Sequence, residues 1–338
     1  MAFVHSYQDD DDAPAAAATS LRRMELLLDP SLPQHLAGLA LSQRGVLTTG
    51  QLLAAGLNRT RIHDIGRRDG WRTPLQGTRM VAVQTGPDAS QDLMRAWNQA
   101  AALVLPHAAL GFDSAAVEWG LVGVPRCDGV TVIVPPGKEL RARPGLRVLV
   151  RPLTTHDVVS PWGLRTTSMV RTLADLLPTL DRPSGLAVLD GALRRRVRRS
   201  DLATARERAR GSNGWRQVDD LWELANPDAE TPLESRVRSR MIDGHLAPNA
   251  LQQRLRDSSG RVYARPDMTI DRHRRRRPER GPLYIEADGR GPHGSPGAAY
   301  RDRDKASDLL ADGADIERFT WDDTFDPMRI PWRLRRAL

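Results

Sequence analysis

Apolar and polar positions alternate in two rhythms along the chain, and the rhythm changes where elements change. Around residues 45–68, a Thr at 48 or 49 offers an N-cap and Gln51 to Ala55 reads as a short helix. Gly56 breaks it, and Asn58 can cap a second helix reaching Arg68. Ile62 and Ile65 sit three apart in that helix and face a core with Leu57, leaving Arg59, Thr60, Arg61, His63, Arg67 and Arg68 on the remaining surface. Gly70 to Val83 has the look of a β-hairpin. Helical spacing returns over Leu93–Leu105 and Ser114–Leu121, and apolar runs at Val130–Val134 and Leu146–Val150 predict strands. A helix capped by Thr167 or Ser168 passes Leu173 and Leu176, and another begins near Ser184.

The last third repeats this mixture. Thr231-Pro232-Leu233-Glu234 opens a helix with a Thr cap, proline at the first position and a capping-box glutamate. Strands follow over Val262–Ile270 and Pro282–Ala287, then a helix over Ala299–Ala311 and a strand over Asp315–Trp321. Helix, strands, helix, strand predicts an α/β sandwich. Four segments result: a disordered acidic leader (1–30), a helix-turn-helix with a wing (34–85), an α/β middle region (89–226) and a C-terminal α/β domain (228–338). Asn226-Pro227-Asp228-Ala229 reads as the last linker.

Composition narrows the class. With 338 residues, 40% hydrophobic and 27% charged, the chain has enough apolar material for real cores. One cysteine, Cys127, excludes an internal disulfide framework and thiolate-rich zinc sites, and points to a reducing compartment, by default the cytoplasm. No stretch approaches the roughly 20 apolar residues of a spanning helix, so no membrane is expected. The net charge of +8 favours a polyanion such as DNA. That signal is diluted because 48 of the 50 basic residues are arginines, a bias that codon usage can produce. The run Arg194–Arg199 and the loop carrying Arg274, Arg275 and Arg276 are either phosphate grips or solvated ends.

The candidate chemistry lies between Ala264 and His293. Two strand-like runs, Arg265-Pro266-Asp267-Met268 and Leu283-Tyr284-Ile285-Glu286-Ala287-Asp288-Gly289, deliver carboxylates towards one sheet end. Hard oxygen donors there suit a divalent cation that keeps waters for phosphodiester hydrolysis. Glu286 and Asp288, two apart on a strand, share a face. A neutral imidazole can accept a proton from such a water near neutral pH. Ser114, His107 and Asp113 make no triad on adjacency alone.

Two resemblances extend these readings. Leu47-Thr48-Thr49-Gly50-Gln51-Leu52-Leu53-Ala54-Ala55-Gly56-Leu57, with the basic helix and wing after it, resembles the N-terminal winged helix of AbiEi-type antitoxins. The order through Phe112–Ala116 and Trp119–Leu121 is similar to the central part of long AbiEi-like proteins. That resemblance implies operator DNA as partner, with a toxin as a further partner. The Thr-Pro-Leu-Glu helix start, the Arg-Pro-Asp strand, the Glu-x-Asp-Gly strand end with His293 beyond it and the Arg318-Phe319-Thr320-Trp321 strand resemble the Vsr-like (very short patch repair) family of restriction-endonuclease-like proteins.

The Vsr-like resemblance implies Mg²⁺ or Mn²⁺ held by Asp267 with Glu286 or Asp288, acid-base work by His293 and an orienting or ligating role for Glu234. Asp288 stands where many restriction-like nucleases carry a lysine, and Lys305 could be a migrated cation. The reading is thus a DNA-binding, Mg²⁺-dependent endonuclease. Its alternative is an antitoxin-like regulator whose nuclease fold is inactive.

Overall fold

The computed structural model describes residues 34–68, 71–82, 89–125, 129–138, 140–272, 281–289 and 314–338, and within them the chain is α/β. The acidic leader, Cys127, the arginines 274–276, His293, Lys305 and the helix expected over 299–311 lie outside the described residues. Internal contacts divide the chain into two units, one from the described residues of Met1–Gly120 and Arg126–Thr172, the other from Leu121–Pro125 and Leu173–Leu338.

In the first unit, α1 (Gln34–Ser42) turns through Arg44 and Gly45, both at positive φ, into β1 (Val46–Thr48). Thr48 then starts α2 (Thr49–Ala54) with a reciprocal capping box: its hydroxyl accepts the Gln51 N–H at 3.1 Å, and the Gln51 carboxamide accepts the Thr48 N–H at 2.8 Å. Gly56, at φ 89°, reverses the chain, and Asn58 Oδ1 accepts the Arg61 N–H to start α3 (Arg59–Arg68). Leu47, Leu52, Leu57, Ile62 and Ile65 close a small core with Leu36 and Ala40.

Among the described residues of the hairpin expected over 70–83, only the bridge Arg72–Met80 forms, and β2 (Thr78–Met80) ladders instead with β1. Proline explains this. The next bonded position along that hairpin falls at Pro74, which has no N–H to give. Thr78 holds the intervening turn through its hydroxyl, which donates to the Leu75 carbonyl at 2.7 Å.

After α4 (Ala89–Val104) come β3 (Ala109–Leu110), α5 (Phe112–Glu118), β4 (Val130–Val134), β5 (Leu146–Val150), β6 (Val158–Val159) and β7 (Thr166–Thr167). The strands form one sheet in the order β5-β4-β3-β7-β6, parallel at β4–β5 and β3–β7. The contact division puts residues 34–85 and this sheet together, because Val46, Leu75 and Met80 share a core cluster with Ala96, Ala100, Leu110, Val130 and Leu146. A buried fork adds to that: Arg44 Nη1 lies 2.8 and 3.0 Å from the two Glu118 oxygens, and Asn98 Nδ2 donates to the same carboxylate at 2.9 Å.

The second unit starts within α6 (Met169–Leu176) and continues with α7 (Arg182–Arg194), α8 (Arg199–Ala209), α9 (Leu221–Leu224) and α10 (Pro232–Asp243). There follow β8 (Ala250–Leu251), β9 (Leu255–Arg256), β10 (Val262–Ala264), β11 (Met268–Ile270), β12 (Leu283–Ala287), β13 (Asp315–Phe319) and α11 (Arg329–Ala337). A four-stranded sheet runs β13-β12-β11-β8, with β12–β13 parallel and the other pairs antiparallel. Leu233, Val237 and Met241 of α10 and Ile330 and Leu334 of α11 pack on one face of it against Met268, Ile270, Leu283, Ile285 and Phe319.

Three arginines of the run are engaged inside this unit. Arg194 donates to the Ala229 carbonyl, Arg199 to the Ala225 carbonyl, and Arg198 pairs with Asp201. The segment read as a linker is pinned too, since the Asn226 N–H donates to Asp190 Oδ1 at 2.8 Å. Both Asp190 carboxylate oxygens accept from Arg238 Nη2 at 2.8 Å, joining α7 to α10.

Candidate functional site: an acid pair bridged by an amide

Three segments of the second unit bring carboxylates together. At the start of α10, the Thr231 hydroxyl accepts the Glu234 N–H at 3.2 Å, as an N-cap does. The reciprocal half of the expected capping box does not form there. Glu234 Oε2 instead accepts the Glu230 N–H at 2.8 Å and the Gln252 Nε2 at 2.9 Å. The glutamate that a capping box would occupy structurally is thereby turned towards the sheet.

Asp267 meets it from the start of β11. Its Oδ2 accepts the Ala287 N–H at 2.8 Å across the β11–β12 pairing, and its Oδ1 accepts the same Gln252 amide at 3.2 Å. Gln252 follows β8 in left-handed backbone, φ 51°, with its own N–H on the Asp267 carbonyl at 3.0 Å. Its Oε1 is buried with no hydrogen-bond partner among the described residues.

The electrostatics follow from this crowding. Burial raises the Glu234 carboxyl above the ordinary carboxylate value, and the negative charge of Asp267 raises it further. The hydrogen bonds from Glu230, Thr231 and Gln252 oppose both effects. Arg265 stands on the rim, its guanidinium paired with Glu230 at 2.7 and 2.9 Å. That pairing raises its pKa first, and the charges of Asp267 and Glu234 add to it.

The other predicted acids are placed differently. Leu283, Ile285 and Ala287 pack towards the helices, whereas Tyr284 packs on the opposite side with Ala264 and Ala314. The two-residue period of the strand therefore carries Glu286 to the Tyr284 face, and the antiparallel register with Met268 opposite Ile285 puts Asp267 across from it at the strand end. Asp288 lies past the strand end, where its N–H donates to the Phe319 carbonyl at 2.8 Å. Among the described residues no three His, Cys, Asp or Glu side chains group to hold a metal ion. The structure thus joins Glu234 to Asp267 through Gln252, while His293 lies outside the described residues.

Sequence reasoning did not single out Gln252. No periodicity, cap or motif marks it. Its role depends on the β8–β11 register, in which Leu251 faces Met268.

On α3 the apolar face is Ile62 and Ile65, both buried, and Arg59, Thr60, Arg61, His63, Arg67 and Arg68 are all exposed. Asn58, Thr60, Arg61, Asp64, Ile65 and Arg68 line a shallow groove along it. Such a helix offers cations and hydroxyls on one surface, the donor set that phosphate oxygens accept from. The arginines of the 271–281 loop lie outside the described residues. No helix among the described residues is long and apolar enough to cross a membrane.

No protein-family model matches the chain. Two uncharacterized proteins of Mycobacterium tuberculosis are similar to it: Rv2248 of strain H37Rv and MT2308 of strain CDC 1551. Each is 30% identical over 209 residues, which is 60% of this chain and 72% of the relative. Among solved structures, the crystal structure of the RV2827C protein from the same organism aligns over 60% of this chain and 86% of its own, at 21% identity and a TM-score of 0.30.

Proposed function

The chain belongs to the family of those two mycobacterial proteins, and on its own geometry we propose that it is a DNA-binding protein whose C-terminal part is a divalent-metal phosphodiesterase of the Vsr-like kind. The observation that carries this reading is the convergence of Glu234 and Asp267, from a helix start and a strand start, on one side-chain amide.

The donor set suits Mg²⁺ or Mn²⁺. It offers two carboxylates, both hard ligands, and Mg²⁺ is commonly held by only one or two carboxylates. A bound cation would supply Lewis acidity and a water of lowered pKa. Asp267 would hold it with its Oδ1, since Oδ2 is committed to the Ala287 N–H. Glu234 would complete the charge on the α10 side. Arg265, beside both acids, is a cation able to meet a phosphate oxygen.

The test is direct. Purified chain with Mg²⁺ or Mn²⁺ should nick supercoiled plasmid, and Asp267→Ala should abolish nicking. Equal cleavage by the variant would rule this site out.

A second reading is favoured by α3, whose polar face is entirely exposed, and by the absence of a third acid beside the pair among the described residues. In it the chain is an AbiEi-like regulator that binds its own promoter and a toxin, with an inactive nuclease fold. It expects a promoter footprint without any heat of Mn²⁺ binding.

A further inference from the structure

We infer that Gln252 is the positioning residue of the acid pair: its side-chain amide sets the spacing and aim of Glu234 and Asp267, so that a divalent cation meets two carboxylates already aligned. The inference rests on the metal-site reading above and extends it to a residue that ligates nothing in the arrangement described.

Three features carry it. The first is the match of donors to acceptors. A carboxamide NH₂ has two hydrogens, and Nε2 lies 2.9 Å from Glu234 Oε2 and 3.2 Å from Asp267 Oδ1, so one hydrogen serves each acid. Both partners are acceptors, which makes the amide's orientation unambiguous.

The second is the backbone. Gln252 occupies the left-handed region at φ 51°, where glycine is the unstrained residue, and its N–H is fixed on the Asp267 carbonyl at 3.0 Å. A turn alone would be better served by glycine. The strain is accounted for by the side chain that glycine lacks, which this backbone aims between two acids.

The third is what the amide leaves unused. Oε1 is buried without a partner among the described residues, so the side chain is not placed to satisfy its own hydrogen bonds. It is held by its donor end, at the pair. Groups that orient ligating carboxylates in this way typically change metal affinity or activity by roughly 10- to 100-fold when removed.

The experiment uses the full chain and Mn²⁺ alone as probe, with binding measured by calorimetry and plasmid nicking measured across Mn²⁺ concentration. Gln252→Gly relieves the backbone and removes the amide; Gln252→Met keeps bulk and strain and removes the carboxamide. Both should fold, with the glycine variant melting at or above the wild-type temperature. Both should bind Mn²⁺ roughly 10- to 100-fold more weakly, with the Mn²⁺ concentration for half-maximal nicking raised in proportion and kcat at saturating Mn²⁺ near wild type. Wild-type Mn²⁺ affinity in both variants, with binding lost in Asp267→Ala, overturns the role of Gln252 and leaves the metal site standing. Weakened binding in the glycine variant alone assigns the effect to side-chain bulk and also overturns it. No Mn²⁺ heat from the wild-type chain removes the metal-site reading and this inference together.

Discussion

Glu234 shows how one residue carries two loads. Its N–H completes a helix cap while its carboxylate is buried beside Asp267, and burial, then that neighbouring charge, raise its pKa. Between the ordinary carboxylate value and this raised one, the folded chain holds a proton that the unfolded chain has released. Stability from this group is therefore complete below the unfolded value and falls as pH rises through the folded one. Glu234→Gln removes the titration, so the wild-type chain should lose stability relative to the variant as pH climbs through that window, read from urea midpoints at each pH. A wild-type-minus-variant difference that stays flat would refute the assignment. The cap itself was legible in Thr231-Pro232-Leu233-Glu234, because capping is a matter of three-residue spacing. The turn of the carboxylate towards Gln252 was not, because it needs a partner 18 residues away.

A buried charge pair joins two helices of the second unit alongside its apolar core. Asp190 on α7 and Arg238 on α10 are both buried and meet at 2.8 Å, with the Leu224 carbonyl taking a further Arg238 donor at 2.9 Å. Asp190→Ala would leave the guanidinium buried without its countercharge, and the expected loss is roughly 3–5 kcal/mol in denaturant unfolding. Replacing both by apolar residues of similar volume should recover most of that loss, and a double variant as unstable as the single would argue against the pair as its cause. At α3 the argument is about surface. Arg61 and Arg67 are exposed beside a core formed by Ile62 and Ile65, so changing each to alanine should leave the melting temperature alone. Under the DNA-binding reading each change should reduce the slope of log affinity against log salt by about one phosphate contact, measured by fluorescence anisotropy on duplex DNA. Unchanged slopes would remove α3 from the interface. The helical spacing of Ile62 and Ile65 made this face readable from sequence, whereas the loss of the hairpin followed from Pro74 and needed the β1–β2 pairing to be seen.

At the scale of the whole molecule, the contact division shapes what can be cut apart. The segment 228–338 shares its buried Arg238 with Asp190 and its buried Arg236 with the Ser184 hydroxyl, so expressed alone it should show no cooperative thermal transition by circular dichroism. The longer segment 173–338 retains α7 to α9 and both partners, and should melt more cooperatively; a well-folded 228–338 would contradict this coupling. The composition break at Asn226–Ala229 suggested a linker because Asn, Pro and Asp are turn-formers, yet the same residues serve as acceptors and donors for buried side chains. Most helices, the caps and the basic face of α3 come from the sequence, since each depends on neighbours within about one turn. The single strand expected over Val262–Ile270 instead divides around Pro266 into β10 and β11 of different sheets. Packing alone draws Gln252 into the acid pair, because strand register and a left-handed turn bring together groups that no local pattern links.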